Sequence, residues 1–201
     1  MSLIHDAVRN LEGWVKDSGC EDGNVVLRVN PDRVVCQYEK GACMEASFGG
    51  RTAEFVTHDP IRATTRIGFM FGASLEKVAQ RAAACAIINV VTGFLCISRI
   101  LKACTPDSHP ACLLALQKEL KGKTIYFDDI PSHIAGKLGN VVNDPENADI
   151  ILVNGESLVS DTGSVLIDTC LGRKKVVFLS PSLAGVSSLD NLEHWCPFGR
   201  G

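Results

Sequence analysis

The stretch ADIILVNGESLVSDTGSVLIDTCLGRKKVVFLSPS, residues 148–182, decides the fold of this chain. It holds two continuous apolar runs, IILV at 150–153 and VVFL at 176–179, separated by a segment that predicts helix. Runs that are apolar at every position are typical of strands covered on both faces, as in a parallel sheet. KTIYFDDI at 123–130 adds a third strand of this kind. We therefore predict a Rossmann-like parallel sheet with right-handed crossovers in the C-terminal part.

The segments between and after these strands predict helices. PSHIAGKLGNVV (131–142) and SLVSDTGSVLIDTCLG (157–172) predict two connecting helices, and SSLDNLEHW (187–195) predicts a last helical turn or two. Strands that alternate with helices in this way are typical of βαβ units.

The N-terminal half predicts a different architecture. An apolar stripe in the first 19 residues predicts a helix that faces a core. Pro-containing and Gly-Gly turns then separate β-rich runs, a pattern typical of an antiparallel meander. The predicted strands of this meander are VVLRV (25–29), RVVCQYE (33–39), 42–48 and 52–57.

A long helix is expected between the two halves. Ser74 is a candidate N-cap, and the helix is predicted from Leu75 to about Lys102. Residues 82–98 carry no charge, which is close to the lower length limit of a membrane span, but the polar Asn89 favours a buried central helix. The expected fold class is α/β, with a small N-terminal α+β meander domain packed on a C-terminal Rossmann-like parallel sheet. The predicted divisions are 1–73 for the N-terminal portion, 74–118 for the long helix and connector, and 119–201 for the Rossmann-like portion.

Composition limits the classes of function. The formal net charge is −3 and Lys and Arg are scattered along the chain, whereas a nucleic-acid-binding protein normally carries a basic face. Nucleic acid is therefore not an expected partner. Asp6, Glu12 and Asp17 interrupt the first helix, unlike a signal peptide, which favours a cytoplasmic location without membrane attachment. Nine cysteines, most of them in apolar runs, predict reduced thiols that act as small hydrophobic residues.

Polar residues follow each predicted C-terminal strand. In an open parallel sheet, ligands bind beyond the carboxyl ends of the strands, so these residues predict a binding site. Carboxylates there suit a cation or a polyhydroxyl group, and the helix after Gly155 could hold an anion. The same residues could instead cap helices and end strands. The predicted ligand-binding residues are Asp128, Asp129, Asn154, Gly155, Glu156, Ser157, Asp161, Ser180 and Ser182.

Two groups of residues are candidate metal ligands. His194 and Cys196 lie near the C-terminus, and Cys104, His109 and Cys112 surround a Pro-rich turn. Neither group has the close C-x-x-C or H-E-x-x-H spacing of established metal motifs. A metal ion is thus a candidate cofactor, but a dinucleotide is not, because the chain lacks both a G-x-G-x-x-G and a P-loop pattern.

Catalytic signals are few. His133 follows the Asp128-Asp129 pair and could act with Asp128 as an acid or base, or it could simply be solvated in a first helical turn. Arg62 and Arg66 could clamp a carboxylate or phosphate, or remain solvated at the surface. A G-x-S-x-G nucleophile elbow does not occur.

The order of these elements resembles a prokaryotic family named for heavy-metal chelation. The resemblance covers residues 24–195 and implies an enolase-N-terminal-like domain followed by a Rossmann-like domain. Two positions differ: Ser180 replaces the family's Gly before Pro-Ser, and Ser160-Asp161-Thr162 stands where the family has Asn-Gly-Thr. The resemblance therefore implies a fold more than an activity. The matching segments are Ala86-Ile87-Ile88-Asn89, Ala148-Asp149-Ile150-Ile151, Asn154-Gly155-Glu156-Ser157-Leu158-Val159 and Val176-Val177-Phe178-Leu179-Ser180-Pro181-Ser182.

Three functions are consistent with the sequence. The first is binding of a small molecule or metal complex in the cleft at the carboxyl ends of the C-terminal strands. The second is an enzyme of cofactor metabolism, a transferase or lyase, that uses the same cleft. The third is a non-catalytic interaction subunit in which the apolar helix forms an oligomer interface, as in a homo-oligomer.

Overall fold

The computed structural model describes residues 2–201, and these residues form two four-stranded sheets with seven α-helices. One sheet is antiparallel and the other is parallel, which confirms the α/β fold class. The strands are β1 Asn24–Asn30, β2 Ala42–Phe48, β3 Arg51–Thr57, β4 Ala63–Arg66, β5 Ile125–Phe127, β6 Ile150–Val153, β7 Lys175–Leu179 and β8 His194–Trp195. The helices are α1 Leu3–Val15, α2 Val78–Phe94, α3 His109–Glu119, α4 Ser132–Ala135, α5 Gly155–Val159, α6 Asp161–Cys170 and α7 Ala184–Asp190.

The antiparallel sheet has the strand order β3-β2-β1-β4. On its core face, Met44 lies opposite Phe55 and Ala46 opposite Ala53, and all four side chains are buried. The strand predicted at 33–39 is wrong. Residues 31–41 form a loop of turns, because the apolar side chains of this loop pack onto the other half of the chain and its backbone does not pair with β1.

The parallel sheet has the strand order β5-β6-β7-β8 and is covered on both faces. In β6, Ile151 and Val153 belong to the main core, while Ile150 and Leu152 belong to a second core on the opposite face. The alternation explains why every position of the IILV run is apolar. The second core is closed by the 31–41 loop and by α3.

Several helices differ from the sequence prediction. The helix predicted from 75 to 102 is α2, which ends at Phe94 and is followed by Cys96 with φ of 59°. It does not begin at a Ser74 cap; instead the Gln80 side chain accepts a hydrogen bond from the Lys77 N–H at 3.1 Å. The helix predicted at 131–142 shrinks to the single turn of α4.

The helix predicted at 157–172 is in fact two helices. Ser160 adopts an extended conformation and accepts a hydrogen bond from the Gly163 N–H, so it ends α5 and caps α6. Near the C-terminus, α7 begins earlier than predicted, and His194 and Trp195 form β8 at the edge of the parallel sheet.

Helix α2 is the centre of the molecule. Residues 81–93 are all buried, as expected for a buried central helix. Asn89 in α2 connects four elements: its Nδ2 donates to the Glu54, Pro181 and Ser182 carbonyls, and its Oδ1 accepts from the Gly185 N–H. Within residues 2–201, no helix has both the length and the apolar character needed to cross a bilayer.

Candidate functional site

The three polar loops after β5, β6 and β7 lie together at the carboxyl edge of the parallel sheet. The Ser157 hydroxyl donates to the Asp128 carbonyl at 3.4 Å, and Asn154 Nδ2 donates to the Asp129 carbonyl at 3.4 Å. A Cβ built on Gly155 would lie 3.0 Å from Ser182 Cβ. The parallel direction of the strands therefore brings these loops to one place.

Glu39 occupies the space between these loops. It comes from the 31–41 loop of the N-terminal half and is only 5% exposed. Its Oε1 accepts a hydrogen bond from the Ser180 hydroxyl at 2.7 Å, whereas its Oε2 is buried without a hydrogen-bond partner. We call Glu39, Gly155, Ser180 and Ser182 the junction site.

Burial dominates the electrostatics of the junction site. It raises the pKa of Glu39 to about 7, although the Ser182 and Ser180 hydroxyls and the Gly155 N–H act in the opposite direction. Gly155 is required here because an added Cβ would lie 2.8 Å from the Val56 carbonyl oxygen and 3.0 Å from Glu39 Oε1. The absence of a side chain at Gly155 therefore lets Val56 and Glu39, both from the N-terminal half of the chain, pack closely against its backbone.

Asn154 and Ser157 form the frame of the junction site. The Asn154 side chain caps α5 by accepting from the Ser157 N–H at 3.1 Å, and its Nδ2 donates to the Tyr38 carbonyl at 3.1 Å. The Ser182 hydroxyl accepts from the Val56 N–H at 3.0 Å. These side chains hold the 31–41 loop and β3 against the parallel sheet, so their capping role and their place in the site coincide.

A charged rim surrounds the junction site on the solvent side. Lys40 Nζ lies 2.9 Å from Asp129 Oδ1, and His58 Nε2 lies 3.4 Å from Asp129 Oδ2. Glu156 accepts hydrogen bonds from the Thr57 hydroxyl and the His58 N–H, at 2.8 and 2.9 Å. Partial burial, together with the neighbouring Asp129 and Glu156 carboxylates, raises the pKa of Asp128.

The remaining candidates of this edge lie elsewhere or have other partners. Asp161 is largely exposed and forms an ion pair with Arg81. His133 is exposed and lies near His109, whose pKa is lowered by burial and then by His133. Arg66 pairs with Asp22 at the surface. The structure therefore does not bring these residues to the junction site.

Four cysteines from distant parts of the chain lie close enough to affect one another's pKa. Cys36 lies in the 31–41 loop, Cys104 precedes α3, Cys112 lies in α3 and Cys196 follows β8. Burial, followed by the nearby Cys112, Glu39 and Cys104, raises the pKa of Cys196 to about 12. Burial and the nearby Glu39, Cys196 and Cys112 raise the pKa of Cys36. We call these four residues the thiol cluster.

The thiol cluster joins two groups that the sequence suggests separately. Cys104 and Cys112 come from one predicted metal-ligand group and Cys196 from the other. His194, the partner of Cys196 in the sequence, instead donates from Nε2 to the Ser180 carbonyl at 2.7 Å. Burial lowers the pKa of His194, so its imidazole is held as the neutral form.

A second acidic group lies outside this region. Cys43, Glu45 and Glu54 are the one set of three potential metal ligands in residues 2–201 whose ligand atoms lie within 4.8 Å of one another. Arg33 already forms an ion pair with Glu54, and the Ala103 N–H donates to the same carboxylate at 2.9 Å. The guanidinium supplies the positive charge there, so this set is satisfied within the chain.

The sequence pattern does not reveal Glu39 and Cys36 as site residues. The run RVVCQYE predicts a strand, and a strand gives its glutamate an exposed face. Cys36 and Glu39 are instead buried by contacts with distant segments, for which the sequence carries no local signal. Comparison with protein-family models, with curated proteins and with solved structures finds no match to this chain.

Proposed function

We propose that the protein binds a small cationic ligand, a metal ion or a metal complex, at the junction site, with the Glu39 carboxylate as its charged anchor. The ligand would lie at the carboxyl ends of β6 and β7, where ligands of open parallel sheets bind. Binding of a small molecule or metal complex is the first of the three functions consistent with the sequence, and the buried Glu39 carboxylate supports it.

The unpartnered oxygen of Glu39 carries this proposal. A buried carboxylate is expensive unless it is paired with a positive charge or fully hydrogen-bonded. Oε1 has the Ser180 hydroxyl, but Oε2 has no partner, and no lysine or arginine forms an ion pair with Glu39 within residues 2–201. A bound cation would supply the missing charge.

The charged rim supports a cationic ligand. Asp128, Asp129 and Glu156 place three carboxyl groups on the solvent side of the junction site, with Lys40 and His58 beside Asp129. Clefts lined by one sign of charge raise the local concentration of the opposite charge. The resemblance to a family named for heavy-metal chelation points to the same class of ligand, and we propose that relationship together with the function.

The test compares wild type with Glu39→Gln, which keeps the shape of the side chain and removes its charge. Protein purified without oxygen is first examined by native mass spectrometry and elemental analysis for a stoichiometric metal. After treatment with a chelator, Zn²⁺ and Ni²⁺ are titrated separately by calorimetry. Glu12→Gln, on the exposed side of α1, is the matched control.

We expect at least one ion to bind wild type and the control equally well. We expect Glu39→Gln to weaken that binding by at least about 100-fold, as for the loss of one partner of a buried charge pair. Equal binding by Glu39→Gln, or no binding of either ion by wild type purified without metal, would overturn the proposal.

An enzyme that uses the same cleft is the second candidate, and Asp128 favours it. A half-buried carboxyl group with a raised pKa is suited to accept or donate a proton. Asp128→Asn would then abolish turnover of a substrate while weakening Zn²⁺ or Ni²⁺ binding far less than Glu39→Gln does.

A further inference from the structure

A surface cavity of about 410 Å³ lies at the amino edge of the parallel sheet, at the opposite end of β5 from Asp128. It is lined by residues of two segments, 117–123 at the end of α3 and 137–140 in the loop after α4. Its volume is in the range of cavities that hold small molecules in proteins. We call it the lysine pocket, after Lys121, Lys123 and Lys137 in its lining.

Positive charge is concentrated in the lysine pocket. Its lining contains three lysines and neither an aspartate nor a glutamate. None of the three lysines forms an ion pair in the part of the chain that the structure describes. The formal net charge of the whole chain is −3, so this cavity departs locally from the overall charge. A concave site lined by one sign of charge attracts ligands of the opposite sign.

The three lysines are not equally available to a ligand. Hydrogen bonds from Thr124 lower the pKa of Asp149, and Lys123 acts on that carboxylate in the same direction. Lys123 therefore already has an acidic neighbour outside the lining of the pocket. We expect Lys121 and Lys137 to contribute most of the attraction for an anion.

The backbone adds hydrogen-bond donors to the loop side of the pocket. Within residues 2–201, the N–H groups of Leu138, Gly139 and Asn140 donate no hydrogen bond. Gly139 has a φ of 92°, in the left-handed region. Consecutive N–H groups in a bend of this kind form the concave arrangements that bind anions in proteins. The pocket thus combines free ammonium groups with free backbone donors.

Hydrogen bonds hold the two sides of the pocket in place. Gln117 Nε2 donates to the Lys137 carbonyl at 2.6 Å, which joins α3 to the loop. The Ile125 N–H donates to the Asn140 carbonyl at 2.9 Å, and the Val142 N–H donates to the Ile125 carbonyl at 2.8 Å. These contacts fix the loop to β5 without a ligand, which lowers the entropic cost of binding.

We propose that the lysine pocket binds a small polyanion, a compound with two or more linked phosphate groups. Lysine is a common phosphate ligand because its ammonium group is a compact point charge with three donors. Linked phosphates present several negative charges and many acceptor oxygens in a small volume. They therefore match three lysines and a row of N–H groups better than a single carboxylate does. This site lies at the other end of the sheet from Glu39, so the inference is independent of the proposed function.

The test is isothermal titration calorimetry on the full chain in the presence of a chelator. Inorganic pyrophosphate and ADP are titrated separately, because an inorganic and an organic diphosphate share this chemistry. The variants are Lys121→Gln and Lys137→Gln, both at exposed positions. Lys16→Gln, directly after α1, makes the same change in net charge outside the pocket and is the matched control. Circular dichroism verifies that each variant is folded.

We expect at least one probe to bind wild type and Lys16→Gln equally well. Each pocket variant should weaken that binding by at least about 10-fold, as for the loss of a hydrogen bond to a charged group. Binding should also weaken as the NaCl concentration rises, because salt screens exposed charges. Tighter binding of ADP would assign the pocket to organic diphosphates, and tighter binding of pyrophosphate would assign it to inorganic ones.

Three outcomes would overturn the inference. The first is no binding of either probe at about 1 mM, which would show that the lysines are simply solvated. The second is an equal loss in Lys16→Gln and in the pocket variants, which would show that binding follows the net charge of the chain. The third is a loss in Glu39→Gln but not in the pocket variants, which would move the anion to the junction site. The Zn²⁺ and Ni²⁺ titrations of Glu39→Gln are separate, so failure of one proposal is distinguishable from failure of the other.

Discussion

Replacing Glu39 by Gln should change how the stability of the protein depends on pH. The pKa of Glu39 is raised by burial from 4.5 to about 7 in the folded chain, whereas the unfolded chain returns it to its ordinary value. Below pH 4.5 Glu39 is protonated in both the folded and the unfolded state, so its titration does not lower the stability of the fold. Between pH 4.5 and 7 the unfolded state releases the proton and the folded state keeps it, so stability falls as pH rises.

The size of the effect follows from the width of that window. At about 1.4 kcal/mol per pH unit, a pKa raised from 4.5 to about 7 corresponds to a total loss of about 3.5 kcal/mol, nearly complete at pH 8. Glutamine has no such titration. Part of the loss already occurs below pH 5, so the difference in unfolding free energy, variant minus wild type, should increase by about 2.5 kcal/mol between pH 5 and pH 8.

The assay is urea unfolding of both proteins at half-unit pH steps, with a reducing agent and a chelator so that no cation neutralises Glu39. Other titrating groups that face this carboxyl, including Glu54, Cys36 and Cys196, are common to both proteins and largely cancel in the difference. A difference that stays flat, or that shrinks as pH rises, would refute the claim that Glu39 is buried without a charged partner.

Three further substitutions test the packing around the site, each by urea unfolding at one pH. Asn89→Ala should lower the free energy of unfolding by about 3–5 kcal/mol, since it leaves several buried backbone groups unpaired. Thr92→Val on the same helix is the control and should lower it by at most about 1.5 kcal/mol, because the Thr92 hydroxyl donates only to carbonyls of α2. Similar losses in the two variants would contradict the role of Asn89. Gly155→Ala should lower the free energy of unfolding by about 1–3 kcal/mol through the clash with the Val56 carbonyl. Gly136→Ala, with open space around it, is the control and should leave the stability nearly unchanged. An unchanged stability in Gly155→Ala would show that β3 does not pack closely against this loop. Ser160→Ala should cost about 1 kcal/mol through the lost cap of α6, and an unchanged midpoint would indicate that α5 and α6 are one helix in solution.

The parts of the fold that the sequence predicts are those set by local pattern. The IILV and VVFL runs identify two strands because each position of a two-sided strand is buried, and the structure places these strands side by side and parallel. The uncharged run around Asn89 identifies the central helix, because a helix buried on all sides also carries apolar residues at nearly every position. The polar loops at the carboxyl edge follow from strand direction alone.

The parts that the sequence does not predict depend on contacts between distant segments. RVVCQYE has the composition of a strand, but Tyr38 and Glu39 form hydrogen bonds with Asn154 and Ser180 in the loops of the parallel sheet, more than 100 residues away in the chain. Ser160 is a polar residue inside a helical pattern, and its capping role depends on an extended backbone that no periodicity shows. The thiol cluster draws on four segments, so no spacing rule could reveal it.

The hydrogen bonds of Asn89 have a consequence for how any ligand enters and leaves. Many two-lobed binding proteins open like a clamshell about a flexible connection. Here the amide of Asn89 ties β3 of one lobe to Pro181 and Ser182 of the other, deep inside the molecule. Clamshell opening would break the hydrogen bonds of Asn89 in the interior of the protein, where no water could form hydrogen bonds in their place. The two halves are therefore expected to remain joined while a ligand binds or leaves.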